Sequence, residues 1–145
     1  MKGRKIHRTY LAIVSGKLTE SGTIDLPIGR KSESVIERCV DKTHGERAVT
    51  HYEVLEARTD QTLVKCQLET GRTHQIRVHM QAIGHPLVGD FLYNPHALRE
   101  ERPLLHSWRL AFTHPVSGDE VYFTAPVPAD MQGWKWFQPD KMKVT

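Results

Sequence analysis

The chain has 145 residues, of which 39% are hydrophobic and 26% charged, and its mean hydropathy is −0.48. These values disfavour a disordered chain or a membrane protein, and the length suits one compact domain over residues 1–145. The net charge of +3 leaves two alternatives open, a polyanionic partner such as RNA or a merely solvated basic surface. We expect a cytoplasmic protein, because no apolar segment typical of a secretion signal follows the basic first residues.

Alternating side chains predict strands in the first half of the chain. The first covers Ile6 to Val14 and is apolar on both faces, with Tyr10, Ala12 and Val14 on one side, which predicts a central strand. Gly22 to Gly29 contains Pro27 and is interpreted as a short edge piece or a loop. Further strands are predicted for three segments, of which the last two form an antiparallel hairpin: Ser34 to Val40, Ala48 to Ala57 and Thr62 to Glu69.

A helical period follows Gly71, since Ile76, Met80 and Ile83 recur at the spacing of one helix face and Gly84 supplies a stop. We expect Thr73 to cap this helix. Strands are predicted next, and a last helix begins near Ala129 and carries three aromatic residues. The segments concerned are Leu105 to Phe112 and Glu120 to Ala125 for the strands, and Trp134, Trp136 and Phe137 for the helix. Many strands with few helices indicate the α+β class.

The segment LETGRTHQIRVH, residues 68–79, concentrates two arginines and two histidines around a glycine turn at a helix start. Free backbone N–H groups beside Arg72, His74 and Arg77 would bind a phosphate or a carboxylate. The alternative is that both arginines pair with Glu69 or Asp90 and only hold the loop in place. We expect no metal site, because none of the nine histidines forms an HxxxH or HExxH pair.

Three blocks in this order, KIHRTYLAIVSG, LETGRTHQIRVHMQAIGHPLVGD and LLHSWRLAFTHPVSG, resemble the RluA-type pseudouridine synthases, which isomerise uridines in structured RNA. The resemblance implies a mixed, largely antiparallel sheet with flanking helices and a cleft for a flipped-out uridine, with ribosomal or transfer RNA as partner and no cofactor. Tyr10 matches the tyrosine that stacks on the target base, although a tyrosine on an apolar strand face is otherwise a core residue. Arg77 matches the arginine that forms an ion pair with the catalytic aspartate. Arg72, Thr73, His74 and Gln75 are expected to contact RNA or to order the cleft.

The chain departs from this family at one point. The catalytic aspartate of the family lies in an arginine-leucine-aspartate motif upstream of the first block, and none of the nine residues before Tyr10 is acidic. The resemblance therefore implies the C-terminal portion of a catalytic domain, inactive alone. A second possibility is that it pairs with a chain or segment that supplies the missing strand and aspartate. The alternative is a non-catalytic RNA-binding module of the same fold. A phosphate- or nucleotide-handling enzyme is disfavoured, because no P-loop or GxGxxG motif is present.

Overall fold

The computed structural model describes residues 6–32, 34, 36–98 and 101–137. Its elements in chain order are β1 (Ile6–Ser15), β2 (Gly22–Asp25), β3 (Ile28–Arg30), β4 (Arg38–Val40), β5 (Val49–Ala57), β6 (Gln61–Leu68), α1 (Gln75–Ala82), β7 (Leu105–Thr113) and β8 (Glu120–Thr124), followed by two 3₁₀ turns (Ala129–Met131 and Lys135–Phe137). Six strands form one sheet in the order β2–β5–β6–β1–β7–β8, and β3 pairs with β4 in a second sheet. The strand pairs are antiparallel, and together with α1 they confirm the α+β class. Within these ranges no helix is long and apolar enough to cross a membrane.

β1 runs through the middle of the large sheet, between β6 and β7. Ala12 and Val14 belong to one hydrophobic cluster, and Leu11 and Ile13 belong to another on the opposite side of the strand. We call the side of Ala12 and Val14 the helix face and the other side the far face. All four side chains are at most 2% exposed, so the predicted central strand is confirmed.

α1 covers the helix face of the sheet. Ile76 and Met80 lie four residues apart on one side of the helix, and both are buried against Ala12 and Val14. The residues that follow the glycine turn therefore start directly above the core of the sheet.

The predicted C-terminal end of α1 is present in the structure, whereas the predicted N-terminal cap is not. The glycine stop is confirmed, because Gly84 has a φ of +89° and the N–H groups of Gly84 and His85 bond to carbonyls of the last turn at 2.9 and 2.8 Å. The expected cap at Thr73 is wrong. The residue before the helix is His74, which has a φ of +57° and whose side chain makes no capping hydrogen bond. The chain thus enters the helix through a left-handed residue, and a glutamine of the first turn organises the approach, as described below.

The C-terminal segment covers the far face without an α-helix, so the helix expected from Ala129 is wrong. Its two 3₁₀ turns are separated at Gly133, whose φ of +92° interrupts a helical path. Met131 and Trp134 are nevertheless buried. They pack with four residues of the sheet, Leu11, Ile13, Leu63 and Trp108.

The hairpin predicted for β5 and β6 is confirmed, and it contains a β-bulge at Leu55. A second bulge lies in β7 at Trp108, opposite the step from Thr9 to Tyr10 in β1. Both extra residues, Leu55 and Trp108, pack on the far face.

The segment from Gly22 to Val40 forms three short strands. The stretch interpreted as an edge piece or loop contains β2, which forms one edge of the large sheet, and β3, which belongs to the small sheet. The strand expected over Ser34 to Val40 is shorter than predicted, because β4 begins only at Arg38. Its partner β3 offers three residues, so the ladder contains three pairs, the last of which places Arg30 opposite Arg38.

Candidate functional site

The turn formed by residues 70–74 carries most of the candidate residues, and Gln75 organises it. The side-chain oxygen of Gln75 accepts hydrogen bonds from the Thr70 hydroxyl at 2.7 Å and from the Arg72 N–H at 3.0 Å. Its amide nitrogen donates to a carbonyl and a hydroxyl of β5, each at 3.0 Å. Gln75 is 3% exposed and uses both ends of its amide in these bonds. This geometry suits a residue that orders the cleft.

Arg72 and Thr73 lie on the outside of the same turn. Arg72 donates to the Arg47 carbonyl at 2.7 Å and forms an ion pair with Glu46 at 3.2 Å, rather than with Glu69. Thr73 is exposed. An exposed ion pair of this kind contributes about 0–1 kcal/mol, so an anionic ligand can replace Glu46 at little cost in stability.

His74 faces a buried tyrosine. Its Nδ1 lies 2.7 Å from the Tyr93 hydroxyl, and the two rings meet edge to face with centroids 5.5 Å apart. Burial lowers the pKa of the His74 imidazole, and the charges of Arg77 and Arg38 lower it further. The carboxylate of Asp90 acts in the opposite direction without outweighing them. His74 is therefore held in its neutral form, in which the ring can accept the hydroxyl proton of Tyr93.

Arg77 is held by Asp90 in a bidentate ion pair. Its Nε and Nη2 donate to the two carboxylate oxygens at 2.9 and 2.8 Å. The Arg77 side chain is 16% exposed and that of Asp90 is fully buried, so this pair is partly desolvated and fixed in orientation. In the described part of the chain, Nη1 of Arg77 makes no hydrogen bond. This nitrogen remains available to a second anion.

Tyr93 joins these residues into one cluster, which we call the arginine cluster and define as His74, Arg77, Asp90 and Tyr93. The guanidinium of Arg77 lies 5.2 Å from the centre of the Tyr93 ring. The Tyr93 hydroxyl accepts the Arg38 N–H at 2.8 Å, and Asp90 accepts the Tyr93 N–H at 3.3 Å. Sequence reasoning did not single out Tyr93. The available signal was an aromatic residue with a polar tip directly after the GHPLVGD block.

Tyr10 lies on the helix face of the sheet, at the margin of the core. Its ring is half-buried against the helix-face cluster, and its cross-strand neighbours are Cys66 and Ser107. Among the described residues no hydrogen bond or ring contact connects Tyr10 with His74 or Arg77. The structure therefore brings His74 and Arg77 together at Tyr93 and places Tyr10 on the face of the sheet that α1 covers.

A separate cavity of about 460 Å³ lies on the far face and contains none of the candidate residues. Thr9, Lys65, Trp108 and Arg109 contribute to its lining. Trp108 Nε1 and Arg109 Nε are buried and lack a hydrogen-bond partner within the described residues. Because this cavity opens on the side away from α1, it is distinct from the arginine cluster.

Comparison with known proteins gives consistent matches. A family model for RNA pseudouridylate synthases matches residues 1–82. The uncharacterized RNA pseudouridine synthase YjbO of Bacillus subtilis is 49% identical over 131 residues, which are 90% of this chain and 46% of the relative. Ribosomal large subunit pseudouridine synthase D of Nitrosomonas europaea is 45% identical over 140 residues, which are 90% of this chain and 40% of the relative. The chain thus spans less than half the length of these curated relatives.

Solved structures resemble the fold as well. Human RNA pseudouridylate synthase domain containing 1 superposes with a TM-score of 0.69 at 32% identity, covering 94% of this chain and 57% of that one. The human protein named domain containing 4 has a TM-score of 0.66 at 24% identity, covering 86% and 59%, and this match supports the fold alone.

Proposed function

Because the chain belongs to the RNA pseudouridylate synthase family, and within it to the RluA type, we propose that residues 1–145 form the C-terminal portion of a catalytic domain. The reaction would be the isomerisation of uridine to pseudouridine in ribosomal or transfer RNA. The observation that carries this proposal is the partly buried fork of Arg77. It lies in the block where the resemblance places the arginine that serves the catalytic aspartate, and it keeps one nitrogen available.

The reaction needs few groups from the protein. The N1–C1′ bond of the uridine breaks, the uracil turns, and C5 bonds to C1′, while the proton on C5 is lost and N1 regains one. Tyr10 would stack on the extruded base, which contributes about 1–3 kcal/mol to binding. Extrusion itself is unfavourable by a few kcal/mol, and basic residues along the cleft would offset part of that by binding phosphates. Arg72, Thr73 and His74 are our candidates for these RNA contacts, with Gln75 ordering the turn that carries them.

Arg77 would act on the carboxylate of the catalytic aspartate. A guanidinium that Asp90 already holds by one edge is aimed before the aspartate arrives, so its Nη1 can donate without reorientation. The ion pair would keep the aspartate ionised, as a nucleophile or a base requires.

We further propose that the isolated chain is inactive and that a segment or a second chain supplies the aspartate together with a strand. Two features support this. None of the nine residues before Tyr10 is acidic. Within the described sheet β8 is an edge strand, and it exposes Tyr122 and Phe123 by 70% and 57%, which makes it a surface where another strand could pair.

A tritium-release assay on RNA that contains 5-³H-uridine tests the proposal. The 145-residue chain should release no tritium above background, and normal turnover would refute the inference about the aspartate. In a longer chain that carries the arginine-leucine-aspartate motif, Arg77→Met should abolish turnover while RNA affinity changes little. Arg102→Met is the matched control, because Arg102 also forms a bidentate pair, with Asp130, but on an exposed surface. If Arg77→Met reduced RNA affinity and turnover by the same factor, Arg77 would be assigned to phosphate binding rather than to the catalytic aspartate.

The second candidate function is a non-catalytic RNA-binding module of the same fold. The genomic sequence directly upstream of Met1 discriminates between the two. An open reading frame that continues into an arginine-leucine-aspartate motif supports the synthase and argues against the module.

A further inference from the structure

We propose that Arg30, Arg38 and Arg72 form a binding site for a backbone phosphate of RNA. They surround a pocket of about 320 Å³ between the small sheet and the turn before α1. The identity of the ligand as RNA rests on the proposed function, whereas the site itself adds an element, the β3–β4 sheet, to the surface that meets it.

The small sheet places two arginines directly opposite each other. Arg30 of β3 is the cross-strand partner of Arg38 of β4, so both side chains leave the ladder on the same face. Like charges in this position destabilise a strand pair. An anion between them would turn the repulsion into two attractive contacts.

The remaining lining adds positive charge. Arg72 contributes a third guanidinium, and among the described lining residues Glu46 is the one carboxylate. Glu46 is largely exposed and is bound to Arg72. The described lining residues therefore carry a formal excess of two positive charges, in guanidinium groups whose fork matches the oxygens of a phosphate.

The guanidinium of Arg38 contacts backbone carbonyls just before β4. Nη1 of Arg38 donates to the carbonyls of Ile36 and Glu37 at 3.1 and 3.3 Å, which are uncharged acceptors. Among the described residues Arg30 forms no ion pair. The lining residues that the structure describes include no aromatic ring on which a base could stack, so their chemistry suits the phosphate of a nucleotide rather than its base.

The pocket is also connected to the arginine cluster. The backbone N–H of Arg38 donates to the Tyr93 hydroxyl at 2.8 Å, and that hydroxyl meets His74. A phosphate held here would place the RNA strand beside the residues proposed to act on the uridine.

Arg30→Gln tests the site, because Arg30 is exposed and the variant should fold. Fluorescence anisotropy with a labelled, uridine-containing stem-loop RNA should show an affinity reduced about 5- to 10-fold at low salt. The dependence of log K on log salt should become shallower by about one unit. Arg102→Gln also removes one arginine charge, but Arg102 is paired with Asp130 and does not line the pocket, so both quantities should stay nearly unchanged.

Thermal unfolding in phosphate-free, low-salt buffer supplies a second, independent readout. Arg30→Gln should raise the melting temperature, since it removes the repulsion with Arg38, and inorganic phosphate should stabilise the wild type more than the variant. A lower melting temperature for the variant, or equal stabilisation by phosphate, would overturn the site. Stabilisation by phosphate with RNA affinity unchanged in the variant would assign the pocket to free phosphate and overturn the RNA contact. If the wild type does not bind RNA, the proposed function is refuted. The melting temperatures with and without inorganic phosphate still test whether the pocket binds phosphate.

Discussion

His74, directly before α1, and His79, within α1, are both held neutral by their surroundings. His79 is fully buried, with Nε2 2.9 Å from the Leu26 carbonyl and Nδ1 2.8 Å from the Thr50 hydroxyl. Burial lowers the pKa of His79 as it does that of His74, and the bond to the Leu26 carbonyl only partly opposes it. Each imidazole therefore bonds through its neutral form.

This neutrality predicts that stability declines in mild acid. The pKa of each histidine in the folded chain lies below its ordinary value of 6.5, so below that pH the unfolded chain binds more protons than the folded one. The free energy of unfolding should fall as the pH drops from 7 through 6.5 and below, with no contribution from these groups above pH 7. Urea denaturation across this range measures it, and NMR titration of the two rings should give midpoints below 6.5. A midpoint at or above that value for either ring would contradict the prediction.

Single residues also show where sequence reasoning succeeded and where it stopped. His74 and Arg77 meet at Tyr93 because residues three apart at the start of a helix lie close together, whereas Arg72 points to Glu46. Their roles remain predictions. The ion pair between Arg77 and Asp90 was one of two open alternatives. Tyr93 was not predicted, because it lies in an irregular segment without periodicity. The burial of Gln75 was not predicted either, because it depends on contacts with β5, which lies outside the GRTHQIR block.

Among the elements, β8 exposes two large aromatic side chains, Tyr122 and Phe123. It is an edge strand in the described sheet, and Tyr122 and Phe123 project from its two faces. Phe123 stacks on Phe112 at 6.1 Å, while Tyr122 lies over the far-face cavity. An edge with these side chains and without proline or lysine is a surface for strand pairing.

We therefore predict that the isolated chain associates with itself through β8. Sedimentation velocity across a wide concentration range should show a concentration-dependent increase in mass for the wild type, and Tyr122→Lys should reduce it, because a charged edge disfavours pairing. Val116→Lys is the control, since Val116 is exposed in the turn before β8 rather than on the strand. A wild type that stays monomeric throughout, or equal effects of both variants, would refute the prediction.

At the level of elements, alternation of apolar residues was the dependable signal. β1, β5, β6, β7 and β8 lie within one or two residues of their predicted bounds. The helix predicted from Ala129 is absent, because Gly133 with its positive φ divides the segment. The sequence alone did not reveal that Trp134 packs on the sheet from a segment between two 3₁₀ turns rather than from a helix.

At the scale of the whole molecule, the large sheet of the described residues is buried on both sides, by α1 on the helix face and by the two 3₁₀ turns on the far face. The two 3₁₀ turns on the far face contain few hydrogen bonds of their own, so their stability depends on the side chains that they bury. Trp134 is the largest of these, and Arg58 stacks on it at 3.8 Å and donates to the Gly133 carbonyl at 2.7 Å.

Replacing Trp134 by alanine should therefore lower the free energy of unfolding by about 3–5 kcal/mol. Urea denaturation measures this loss, with the exposed Val116→Ala as a control that should change stability by less than about 0.5 kcal/mol. A loss for Trp134→Ala below about 1 kcal/mol would mean that the C-terminal turns are not part of the cooperative core.

The two β-bulges bear on how this chain tolerates insertions and deletions. In a regular strand, losing one residue moves every later side chain to the opposite face. At Leu55 and Trp108 the extra residue already interrupts the alternation, so its deletion would restore a regular ladder, and the neighbouring strand residues would keep their faces. These are the positions in β5 and β7 where a single-codon deletion would preserve the fold of the sheet, with lost packing on the far face as its main effect.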